Sequence, residues 1–167
     1  MQSKIKYGVI LGLVQAASGL LLYILGAEAM LKVSWLDYVF GFGGICLTLY
    51  FGIRLRRKQG GYFTYGQAFG NLMTLSTIEV GLNMIIMLLL YQVIDPDFGE
   101  AVAAELARQA AGFSENQVQA TMAVLVYSNP AALTGVFVSA ITGLLGSVFL
   151  NLILALIVRE EPITVRG

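Results

Sequence analysis

"YGQAFGNLMTLSTIEVGLNMIIMLLLY", residues 65–91, carries a single charged residue, Glu79, in an otherwise uncharged and largely apolar run. A stretch longer than the roughly 20 residues that a helix needs to cross a hydrocarbon core reads as a membrane span. Residues 5–25, 35–53 and 130–158 meet the same requirement. The composition agrees: 57% of the chain is apolar and 12% charged, about half the usual charged share, with a mean hydropathy of +0.79. The expectation is an all-α integral membrane protein, a four-helix bundle forming one domain over residues 1–167.

Local signals place the helix starts. Thr64 with Gln67 forms a capping box for the third span. Ser34 can cap the second, and Asn129 followed by Pro130 can open the fourth. Lys4, Lys6, the first apolar run and "AEA" at 27–29 resemble a signal peptide, but the run is longer than a signal h-region. The first span is therefore expected to persist as an anchor.

Charge sets the orientation. Lys4, Lys6 and "RLRRK" at 54–58 flank one side, while the other carries Glu28, Asp37, Asp95, Asp97, Glu100, Glu105 and Glu115 against Lys32 and Arg108. The positive-inside rule then makes both termini cytoplasmic. "RLRRK" reads first as a topology determinant; Arg54, Arg56, Arg57 and Lys58 are also candidates to meet anionic lipid headgroups.

Residues 95–129 are too patterned for a simple turn. Asp95 as cap, Pro96 at the first position and Asp97 in the first turn start a helix, with an apolar stripe at Phe98, Val102 and Leu106. Gly112 ends it. Ser114 with Gln117 starts another, with Val118, Met122, Leu125 and Val126 on its apolar face. An external amphipathic hairpin between the third and fourth spans is expected.

Several functions are excluded or disfavoured. The chain has no histidine, which removes serine–histidine and cysteine–histidine nucleophiles and histidine-ligated metals or haem. Cys46, the single cysteine, reads as a small apolar residue. Asp95, Asp97 and Glu100 lack the glycine turn and ligand number of a calcium loop, and carboxylates in a first turn are favoured by the helix dipole. No catalytic residue, cofactor, metal or nucleic-acid partner is expected.

The order "KYGVILGL" (6–13), "YFTYGQAF" (62–69), "IDPDF" (94–98) and a glycine-rich last span resembles domain-of-unknown-function family 4199, small bacterial membrane proteins with four helices. The family more often has Glu at the place of Gln67 and Lys at that of Gly70. The resemblance implies the fold and an inner-membrane location. It implies no catalytic residues, and only an accessory role beside enzymes of envelope glycan or lipid assembly.

Two features remain as candidate sites. Gly135, Ser139, Gly143 and Ser147 recur every four residues before Asn151, and Gly8 and Gly12 share that spacing in the first span. Small residues let helices approach closely, within the chain or against a second copy or another membrane protein. Glu79 is the other. A charge at mid-bilayer costs at least about 2.5 kcal/mol, so a neutral acid bonded to Ser76, Asn83, Gln15 or Asn151 is expected. The alternative is a proton or cation path. A scaffold or accessory subunit is thus the leading reading, a small transporter the second and an intramembrane enzyme the third.

Overall fold

The computed structural model describes residues 2–32, 35–110 and 132–160. The elements run α1 (Gln2–Leu25), α2 (Ala27–Lys32), α3 (Trp35–Lys58), α4 (Tyr65–Leu89), a π-helical turn (Leu90–Ile94), α5 (Phe98–Ala110) and α6 (Leu133–Val158). Among the described residues there is no strand, and four helices are long and apolar enough to cross a bilayer. The protein is an all-α, multi-pass membrane protein. On α6 alone Ile141, Leu145, Phe149, Ile153 and Ile157 point outward, an apolar face that lipid covers.

Thr64 caps α4 as its spacing implies. Its hydroxyl accepts from Gln67 N at 3.3 Å, and the Gln67 side chain accepts from Thr64 N at 3.0 Å. Asp95 Oδ1 accepts from Phe98 N at 3.2 Å, but α5 begins at Phe98, so Asp95, Pro96 and Asp97 form the turn before the helix rather than its cap and first residues. Four span boundaries differ from expectation; the first helix already begins at Gln2 rather than Ile5. The second span continues through "RLRRK", because nothing before Gly60 breaks the helix and cations suit its C-terminal end; Gly60 and Gly61 then turn the chain at φ +101° and +89°. The third span runs on through the π-turn. α6 starts at Leu133, with Ala132 extended before it and no side-chain cap. Ser34, Asn129, Pro130 and the second hairpin helix (Gly112 to Val126) lie outside the described residues, as does the side chain of Leu106.

α4 is the central helix, packed most extensively on α1 and α6. The core divides in two. Near the basic end Tyr7, Leu11, Phe51, Leu55, Leu72, Leu75 and Leu154 pack together; near the acidic end Ala16, Met87, Leu90, Tyr91, Phe98, Val102 and Val136 do. Glu79 lies between these clusters. At 1.5 Å per residue it stands roughly 21 Å along α4 from Tyr65, close to mid-depth.

Candidate functional site

The tightest helix crossing belongs to α1 and α4. A Cβ at Gly8 would stand 2.7 Å from Ile78 Cβ, and one at Gly12 would stand 3.0 Å from Leu82 Cβ and 3.1 Å from the Glu79 carbonyl oxygen. No side chain fits there without separating the helices.

The α6 stripe behaves differently along its length. Gly135 is buried at one end and Asn151 at the other, where Asn151 Nδ2 donates to Ser76 Oγ at 2.9 Å and to Met73 Sδ at 3.4 Å. Between them Ser139 and Gly143 are exposed, and a Cβ on Gly143 would meet only Val80 Cγ2, at 3.7 Å. The middle of the stripe is a wall, not a closed contact.

It faces a cavity of about 370 Å³ floored by α4 and walled by α1 and α6, lined by Gln15, Ser18, Glu79, Asn83, Ser139 and Gly143 among others. The cavity exists because α3 fills the slot between α1 and α6 only near the basic end. There a Cβ on Gly52 would press on Leu72 Cδ2 at 2.9 Å and Val158 Cγ2 at 3.1 Å. Half-way up, a Cβ on Gly44 would stand 3.9 Å from Glu79 Oε1; beyond that, Gly43 and Gly41 meet nothing within 4 Å, and Phe42, Val39 and Tyr38 are exposed. The outer half of the bundle is a three-helix groove.

Glu79 and Asn83, one turn apart on α4 and therefore on one face, line this groove. Glu79 is half-buried and makes no hydrogen bond or ion pair with any described residue. The expected ties to Ser76 and Asn151 are absent because those two bond each other a turn below. Ser18 Oγ donates to the Gln15 carbonyl at 2.7 Å and Ser147 Oγ to the Gly143 carbonyl at 2.8 Å, so both hydroxyl protons are committed within their own helices. Asn83 Oδ1 and Asn151 Oδ1 are enclosed without a donor among the described residues.

The two ends are closed by polar contacts. At the basic end Arg56 pairs with Glu160 (Nη2 to Oε2, 2.8 Å) and donates to the Val158 and Arg159 carbonyls at 3.0 and 3.4 Å. It neutralises the C-terminus of α6, which Phe63 and Glu160 fix further by paired backbone bonds. Arg56 is thus committed to the fold. Arg54, Arg57 and Lys58 are exposed; Arg54 donates to the Tyr50 hydroxyl at 3.2 Å, and Arg57 shares a cleft with Tyr50, Ile53 and Arg54. We expect Arg56→Ala to lower stability by about 2 kcal/mol, from lost charge-assisted bonds, and Arg57→Ala by less than about 0.5 kcal/mol. Thermal unfolding in detergent measures both, and equal effects would contradict the assignment.

At the acidic end Tyr23 donates to Asp95 Oδ2 at 2.9 Å, and Phe98 stacks on Tyr91 at 5.6 Å between ring centres. This seats α5 over the end of α1, with Val102 fully buried. Arg108 bonds Glu105 and approaches Glu28, whose carboxyl Lys32 holds below the usual carboxylate range. Among the described residues no cluster of acidic groups or cysteine could hold a metal ion.

No curated protein and no solved structure matches the chain. The four apolar helices and the motifs at 6–13, 62–69 and 94–98 belong together in one known grouping. Residues 6–160 match the family described as "Protein of unknown function (DUF4199)", and the chain belongs to that family.

Proposed function

We propose that the protein is an accessory subunit of a membrane complex, binding another membrane protein through the groove between α1 and α6. One observation carries this reading: at mid-depth α3 withdraws from the bundle, leaving a groove with a carboxylate that has no partner among the described residues. Burying an acid there without using it costs stability, and small residues on the wall favour a close-packed helix. A second copy of the chain is the simplest other occupant. Purification in mild detergent, with mass identification of bound chains, tests the reading; a monodisperse monomer free of partners in native-membrane extracts would contradict it.

The membrane is proposed to be the bacterial inner membrane with both termini cytoplasmic. The helix ends support this, since Lys4, Lys6, Arg54, Arg57 and Lys58 gather at one end, while at the other Glu28, Asp95, Asp97, Glu100 and Glu105 outnumber Lys32 and Arg108. A cysteine at Gln59, with Cys46 replaced by Ala, should react with an impermeant maleimide only after permeabilisation. Labelling in intact cells would invert the topology. Arg54, Arg57 and Lys58 are then placed to meet anionic headgroups of the inner leaflet.

A second reading, proton or cation transfer, is favoured by the polar groups around Glu79. Flux into liposomes that Glu79→Gln abolishes would replace the docking assignment.

A further inference from the structure

We infer that the groove takes a partner's membrane helix that bears a basic side chain at mid-depth, donating to Glu79 and Asn83. The inference rests on the docking reading and specifies the chemistry of the occupant.

A carboxylate oxygen and an amide oxygen are acceptors, and buried acceptors in native proteins find donors. Glu79 and Asn83 Oδ1 share one face of α4, and neither has a donor among the described residues. The donors that line the groove, the Gln15 side-chain amide and the Ser139 hydroxyl, make no hydrogen bond to either acceptor among the described residues. Ser18 and Ser147 spend their protons on their own helices, and a Cβ on Gly44 would be α3's approach to the carboxylate. Among the described residues no lysine or arginine lines the groove. An occupant that brings a donor satisfies both acceptors, and a cation does so best for an ionised Glu79.

The groove wall on α6 runs from Val136 to Ser147, roughly 16 Å at 1.5 Å per residue, or about three helical turns. Ser139, Gly143 and Ser147 present no bulk along it. The slot also continues the line that α3 occupies at Gly52, where a helix already packs between α4 and α6. A helix fits this length better than a free amine, which would occupy one end. Lysine or arginine on such a helix can bury its stem against Leu22, Met84 and Met87 while its head reaches the acceptors.

The test uses the full-length protein in phosphatidylcholine–phosphatidylglycerol liposomes, with energy transfer to synthetic membrane helices of roughly 20 leucines and alanines. These carry Lys, Glu or Leu at the centre. The Lys helix should bind the wild type about tenfold more tightly than the Leu helix, a difference of about 1.4 kcal/mol. That preference should vanish in Glu79→Gln, with Leu-helix binding unchanged, and Ser139→Trp should weaken both. Equal binding of the Lys and Leu helices, or a Glu helix as tight as the Lys helix, overturns the basic-partner inference; if Ser139→Trp still weakens them, groove docking stands. Binding of no helix, or binding indifferent to Ser139→Trp, overturns the inference and the docking reading together.

Discussion

Replacing Gly12 by Leu is expected to cost the bundle about 3 kcal/mol or more, the upper range for forcing bulk into a packed contact. Even a methyl group there would press on Leu82 Cβ at 3.0 Å and on the Glu79 carbonyl oxygen at 3.1 Å. The second is backbone and cannot rotate away, so α1 and α4 must separate. That crossing holds the basic-end core together and also sets the floor of the groove. For a chain of this size the melting temperature in detergent should fall by roughly 10 °C. Gly146→Leu is the control, because a Cβ there meets nothing within 4 Å; its shift should stay within about 0.5 kcal/mol. Equal melting temperatures for the two variants would show that the α1–α4 contact is not the tight one.

Ser139→Trp should leave the fold intact and remove partner binding. Ser139 is exposed and lines the groove rather than the core, and an indole fits easily within about 370 Å³. Filling that space blocks a close-packed helix sterically, so copurification of a partner should drop by about tenfold or more, as when a central interface contact is lost. Melting near the wild-type temperature confirms that the loss is not one of folding. Undiminished partner recovery with a well-folded variant would place the interface elsewhere.

Sequence alone reaches the spans, the capping box at Thr64 and Gln67, and the helix after Asp95, because each rests on local rules of length, hydrogen bonding or backbone shape. It does not separate two glycine rows of identical spacing. Gly8 and Gly12 meet Ile78 and Leu82 across a tight crossing, while Gly143 stands off from α4; only the relative rotation of the helices decides between them. Ser76 illustrates the same limit. It shares a helical face with Glu79, yet Asn151, far away in sequence, reaches it first. Arg56 looks interchangeable with its neighbours in "RLRRK" until the C-terminus of α6 is seen beside it. The groove has the same origin, since nothing local to residues 35–44 announces that α3 packs on one half of the bundle only.

The central claim, that the groove is an intramembrane docking surface, is tested most directly by photo-crosslinking in native membranes from a benzoylphenylalanine at Ala140. Phe149, on the outward face of the same helix, serves as the reference position. The account predicts that Ala140 forms a discrete adduct with a membrane-spanning peptide of one protein, that Phe149 does not, and that Glu79→Gln reduces the Ala140 adduct. Lipid adducts alone at both positions would contradict it.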